Sequence, residues 1–322
     1  MNPLLSEQEK AARERARERA LALVAPLAGA VDESGECPAE VVDALVSEML
    51  ANDDVAPALL LAITVEEMAR LCAAVGAAVG NSGAAALLLA EHGADGGGRA
   101  AVADGTRFET DDEGLSGVSD PTVMATVAER FVVIHDDGLW QAESAEVASV
   151  PLDGLRGAAI GTAEFSRATR LAGAKTVAAA RALMQVQQAA VAVGICAASQ
   201  DAALAAIAAG KAAGGRPDRS QAVQWALADI ATEGEAARVA VWHAACSEEH
   251  DQGAAMAQVL ASEAAVDSAR RAAQIGGLGA LTAGSVTARL QRDAKLTELL
   301  GGAIEVHLGA IADALLPDVP RA

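Results

Sequence analysis

Tyrosine is absent from this chain, and three phenylalanines and three tryptophans are its only aromatic residues, 2% of 322. Its core must therefore be built from small and aliphatic side chains. Basic residues are also scarce, 24 against 44 acidic ones, for a net charge of −20. That balance excludes a nucleic-acid footprint, and a phosphate-rich ligand would need local cations or those of a partner. The four cysteines, Cys37, Cys72, Cys196 and Cys246, are scattered without a CxxC pair. This excludes a disulfide framework and predicts reduced thiols in a cytoplasmic protein. No G-x-S-x-G, P-loop or H-E-x-x-H pattern occurs, so those chemistries have no support. The charged N-terminal stretch lacks a short apolar core with a cleavage site, which predicts no secretory leader.

Hydrophobic residues make up 52% of the sequence, and alanine dominates them. Alanine is the best helix former, so the composition predicts a mainly α protein. Residues 6–24 read as a charged amphipathic helix, with the run from Arg13 to Arg19 as a solvated face. Cys37-Pro38 opens a second helix with Val41, Val42, Leu45 and Met49 on one side. A third is predicted over Leu60–Gly76 and a fourth over Gly83–Glu91. Three consecutive glycines at 96–98 cannot hold a helix, so Gly93–Gly98 reads as a linker. A stretch rich in Gly, Asp, Thr and Val follows, with strand candidates Thr126–His135 and Glu146–Leu152 and a hairpin turn at His135-Asp-Asp-Gly138. Helical periodicity returns at Ala174. Long helices are predicted over Lys175–Ala209, Ser220–His250 and Ala254–Ile275, with a fourth beginning near Ala294. The most apolar stretch, Val177–Gly194, carries Arg181, Gln185, Gln187 and Gln188, which predicts a buried bundle helix and no membrane span. The expected order is an N-terminal helical domain (1–92), a reduced β domain (93–168) and a C-terminal four-helix bundle (169–322).

Several motifs fall on this frame. Gln221-Ala-Val-Gln-Trp-Ala-Leu-Ala-Asp-Ile-Ala-Thr-Glu-Gly-Glu-Ala-Ala-Arg238 is similar to the Q-[AS]-[IV]-x(3)-L-A-[DE]-[MI] helix of acyl-CoA dehydrogenases, which continues into E-x-A-R. Gln274-Ile-Gly-Gly-Leu-Gly279 resembles their Q-I-x-G-G-x-G turn, and Arg292-Asp-Ala-Lys295 matches their R-D-A-[KR] at the same spacing. Weaker echoes run through Val65-Glu-Glu-Met-Ala-Arg70 and from Leu155 to Phe165. The chain thus resembles the acyl-CoA dehydrogenase family from end to end. The resemblance implies that fold and FAD shared across a subunit interface. It further implies a glutamate base that removes the α-proton of an acyl-CoA while the β-hydride passes to the flavin.

The sequence departs from the family where that chemistry is done. The usual base lies six residues after the motif lysine, and Gly301 stands there. The alternative position on the first bundle helix is Met184. Neither side chain can abstract a proton. Glu298 and Glu305 are the nearby carboxylates, each either a relocated base or a surface glutamate. The T-E-P-G-A-G-S-D segment has only Ala103-Asp104-Gly105-Thr106 as its counterpart. The W-I-T strand corresponds to Val123-Met-Ala-Thr126, without tryptophan. The pyrophosphate arginine corresponds to Lys211, followed by Gly215-Arg216-Pro217. Gln274 and Gly277 either bind the adenine half of the flavin, as the resemblance implies, or only shape an interhelical turn.

This pattern resembles the short, degenerate subunit of the heteromeric acyl-CoA dehydrogenases of actinobacteria, known from steroid side-chain breakdown. It implies a flavoprotein heterotetramer in which a longer subunit supplies the glutamate. Two other readings stay open: a self-sufficient dehydrogenase with a relocated base, and a flavin-free helical scaffold. His243, Cys246 and His250 fall at i, i+3 and i+7 and would share one helix face as metal ligands. The matching family helix uses no metal, and none is expected. Arg292 and Asp293 read as a structural pair.

Overall fold

The structure is a computed structural model that describes residues 5–316 apart from 53, 95–97, 106, 113 and 248–249. Five helices come first: α1 (Glu7–Arg19), α2 (Ala28–Ser34), α3 (Ala39–Leu50), α4 (Pro57–Leu71) and α5 (Ala73–Glu91). A π-turn, Ala20–Val24, follows α1. Ser6 and Glu9 close a reciprocal capping box at the start of α1, satisfying two backbone donors that a helix start leaves unpaired. The strands are β1 (Ala100–Asp104), β2 (Arg107–Asp111), β3 (Gly114–Val118), β4 (Arg130–His135), β5 (Gly138–Ala142), β6 (Glu146–Ser149) and β7 (Gly161–Gly173). The bundle helices are α6 (Val177–Ala212), α7 (Gln221–Cys246), α8 (His250–Gly276), α9 (Val286–Thr297) and α10 (Ile304–Leu315). The expected order of helices, small sheet and bundle is the order observed.

Differences from the sequence reading have identifiable causes. The predicted third and fourth helices divide at Cys72, whose backbone is extended, and α5 then runs unbroken through Gly76, Gly80 and Gly83. These glycines are packing devices. A Cβ at Gly76 would lie 2.6 Å from that of Ala69 on α4. The same Ala69 excludes a Cβ at Gly194 on α6, also at 2.6 Å. Three helices thus cross where only hydrogen fits, and packing outweighs the cost of roughly 1 kcal/mol for a helical glycine. The strand predicted from Thr126 begins only at Arg130.

β7 was not anticipated as a strand. Its first half pairs with β3 on one side and β6 on the other, and its second half pairs with β5. It carries the sheet to Gly173, beyond the boundary placed at 168. The hairpin at His135–Gly138 is present, and those two residues face each other in the β4–β5 ladder. Part of the glycine linker, 95–97, and Thr106 lie outside the described residues.

Two helices, Ala73–Glu91 and Ala174–Lys211, are long and apolar enough to cross a membrane by length and composition. In α5, 83% of the most apolar window is buried inside the protein, which is the pattern of a core helix. α9 starts eight residues before the predicted Ala294, because Ser285 caps it by accepting the Ala288 N–H at 3.1 Å.

Candidate functional site

α6 presents Met184, Gln187, Gln188 and Val191 along one face, the i, i+3, i+4, i+7 spacing of a helix stripe. Facing them are Gly80 and Asn81 of α5, Val123 and Leu155 from loops of the sheet domain, and Thr297 and Leu300 at the end of α9. Between them lies a narrow slot with about 30 Å³ of room for water, enough for one or two molecules. None of the described residues that line it is charged.

Of the two positions that the resemblance aligns with a family base, Met184 is at this slot, and Gly301 adjoins it, next in sequence to the lining residue Leu300. Met184 lines it directly. Gly301 sits in the turn after α9 with a φ of +78°. A Cβ there would lie 2.2 Å from Gln188 Nε2 and 2.3 Å from its Oε1. The place that a side chain at 301 would enter is filled by the Gln188 carboxamide. Glu298 and Glu305 line no part of the slot. The expectation of surface glutamates holds for Glu305, which is exposed. It does not hold for Glu298, whose side chain is 15% exposed and ion-paired with Lys295 one turn back.

The polar groups at the slot went unassigned in the sequence reading. Asn81 is buried; its Nδ2 donates to Val102 O at 3.1 Å and its Oδ1 accepts the Val102 N–H at 2.9 Å, pinning α5 to β1. Gln187 is 2% exposed. Neither of its amide atoms has a hydrogen-bond partner among the described residues. Behind Gly301, Gly302 packs against His307, whose imidazole burial pushes below the usual histidine range. The signal for Gln187 and Gln188 was present in their helical spacing from Met184, but spacing alone does not say which face turns inward.

The Arg292-Asp293 motif builds one wall. The two residues do not pair with each other, contrary to the sequence reading. Arg292 binds Asp32 at 2.7 Å and donates to Asp153 O at 2.9 Å. Asp293 is buried and accepts the Leu155 N–H at 2.6 Å. Burial pushes its carboxyl up to about 6, against the lowering effect of that N–H. Together they moor the loop whose Leu155 closes the slot with a φ of +49°.

A second polar cluster lies where α1, α4 and α7 meet. Glu66 and Glu67 are buried, at 2% and 3% exposure. Arg13 donates to both, at 3.0 and 2.8 Å, and Arg238 donates to Glu66 at 2.7 Å. Burial pushes Glu66 upward, and Arg238 and Arg13 hold it back. Arg13 also stacks over Trp242 at 5.3 Å. It is therefore no part of a solvated face, although Arg15, Arg17 and Arg19 are exposed. His243 and Cys246 close α7 while His250 opens α8, so the three do not share a helix. The side chain of His250 lies outside the described residues.

At the far end of the bundle, Lys211 falls in the last turn of α6 and not in the expected loop. Its Nζ lies 3.3 Å from Asp218 Oδ2. Gln274 and Gly277 are exposed at the end of α8. A Cβ at the intervening Gly276 would lie 3.9 Å from that of Ala206 on α6, so the two helix ends are neighbours.

Residues 172–316 match the family model for the C-terminal domain of acyl-CoA dehydrogenases. An acyl-CoA dehydrogenase of Bacillus subtilis is 43% identical over 110 residues, 32% of this chain and 28% of its own length. The bundle, residues 172–316, is that of the acyl-CoA dehydrogenase family. The sequence matches span about a quarter to a third of the curated relatives' lengths, whereas the family fold extends over the whole molecule. Butyryl-CoA dehydrogenase of Megasphaera elsdenii superposes with a TM-score of 0.83 at 20% identity, covering 98% of this chain and all of that one. A glutaryl-CoA dehydrogenase of Mycobacterium smegmatis, in complex with FADH2, superposes at 0.84 with 14% identity, covering 99% and 97%.

The residues that the resemblance aligns with the two halves of the family's flavin site differ in how well they suit FAD. Exposed Lys211, Arg216 and Arg219 stand against the single carboxylate of Asp218, a local excess of cations in an acidic chain. That cluster suits a pyrophosphate. At the ring half, Val123, Met124 and Ala125 are buried in the core. Met124 holds a φ of +67° and its sulfur packs 3.7 Å from Cys37 Sγ. These three described residues are thus closed to a ligand.

Proposed function

We propose that this chain is the base-less subunit of a heteromeric, flavin-dependent acyl-CoA dehydrogenase. A longer family member would supply the catalytic glutamate and the flavin-ring pocket, and this chain would complete the adenine end of the partner's FAD through Lys211, Gln274 and Gly277. Bound FAD supplies the hydride acceptor for α,β-desaturation of an acyl-CoA. One observation carries the reading: Met184 lines an uncharged slot, Gly301 adjoins it beside the lining residue Leu300, and Gln188 fills the space a side chain at 301 would enter. The basic cluster beside α8 supports retention of the other half-site. Steroid side-chain acyl-CoAs, a cytoplasmic setting and a heterotetramer follow from the same reading.

Co-expression with a longer acyl-CoA dehydrogenase chain tests it. The expected result is co-elution with flavin bound, dependent on the longer chain's glutamate for turnover, while this chain alone purifies colourless. A stable homodimer with full yellow occupancy, never co-purifying with a longer chain, would overturn it.

A further inference from the structure

Gln187 poses a problem that the family assignment leaves open. A buried carboxamide with a free donor and a free acceptor costs about 1–3 kcal/mol for each unsatisfied group, and native proteins rarely leave such groups unmet. The slot beside it has room for an oxygen-bearing group. Its walls carry no charge among the described residues, so a carboxylate or ammonium would be buried there uncompensated. What fits is an uncharged oxygen on a slender apolar body. Met184 closes one side, and its unbranched side chain can turn aside to admit such a body.

We propose that Gln187 Nε2 donates a hydrogen bond to the thioester carbonyl of a bound acyl-CoA, making the slot a carbonyl-holding site where proton abstraction is no longer possible. The identity of the ligand rests on the acyl-CoA reading above; the site itself rests on the buried, unpartnered Gln187. Gln188 cannot take this role in the same way, because its amide is wedged against Gly301. The geometry makes Gln187 a binding residue that distinguishes ligands by the presence of the carbonyl oxygen.

The experiment compares a saturated acyl-CoA with the thioether analogue in which the carbonyl is a methylene. Affinities are measured by calorimetry on the chain alone and on its complex with a longer subunit. The wild type is expected to bind the thioester about five- to tenfold more tightly, the contribution of one neutral hydrogen bond. Gln187→Leu should bind both ligands equally, at the affinity the wild type shows for the thioether. Gln187→Met, close in shape, serves the same purpose if Gln187→Leu misfolds. Equal binding of the two ligands by the wild type, or a preference that survives in the variants, overturns the role of Gln187 and leaves the acyl-CoA reading intact. Binding of neither ligand, alone or in the complex, overturns both.

Discussion

The carboxamide of Gln188 on α6 lies across the α-carbon of Gly301 in the turn after α9, so close that a Cβ at 301 would fall 2.2 Å from its nitrogen. That amide occupies the place of any side chain at 301, and the left-handed φ of +78° at Gly301 disfavours any other residue there.

Restoring a glutamate by Gly301→Glu is expected to yield no dehydrogenase activity and to lower stability. A non-glycine residue in that conformation costs about 1–2 kcal/mol, and the Gln188 amide must also move. In a double-mutant cycle with Gln188→Ala, the steric part should vanish and the backbone part remain. Additive effects in urea denaturation would show that the two residues do not compete for space.

Exposed Lys211 and half-buried Asp218 form a pair at the proposed adenine end. Lys211→Ala should weaken flavin retention by the complex. Asp218→Asn should strengthen it, because the carboxylate competes with a phosphate for the same cations. Both effects should shrink as salt rises. Flavin absorbance of the complex after gel filtration at low and high salt reads the outcome; identical retention in all variants would remove this cluster from the cofactor site.

Arg238 holds the buried Glu66 from α7. Arg238→Met leaves Glu66 and Glu67 to Arg13 alone and should cost about 3–5 kcal/mol, as loss of one member of a buried ion pair does. Glu66→Gln in the same background should recover part of the loss, since a neutral amide needs no counter-charge. A cost below about 1 kcal/mol in chemical denaturation would mean that Glu66 is already neutral in the folded protein.

Burial raises Asp293 from 3.8 to about 6. A carboxyl raised in the folded state binds more protons there than in the unfolded chain. Its contribution to stability is thus full below about 4 and is lost as pH rises through 6. The shift corresponds to a loss on the order of 3 kcal/mol between those limits. Asp293→Asn keeps an acceptor for the Leu155 N–H and cannot ionise, so it should flatten this part of the pH–stability curve. Asp293→Ala should destabilise at every pH by removing the acceptor. Denaturation midpoints at pH 5 and pH 8 for the three proteins decide the matter, and an unchanged slope in Asp293→Asn would assign the pH dependence elsewhere.

Sequence by itself determined the order of helices, sheet and bundle, the family motifs and the absence of glutamate at 184 and 301. These features are legible because helix period, turn residues and motif spacing are local properties of a chain. The helix over Gly76, Gly80 and Gly83 was missed because local propensity counts glycine as a breaker, while close contact of α5 and α6 with Ala69 favours it. Strand β7 was obscured in the same way, because its pairing with β3, β5 and β6 lies outside any local window. Only the tertiary structure decided that Gly301 adjoins the slot lined by Met184, that the Gln188 amide lies against Gly301 and that Gln187 stands in the slot unpaired among the described residues. Those relations join residues remote in sequence, and the burial and hydrogen bonding that define them exist only once α5, α6, α9 and the sheet domain have packed together.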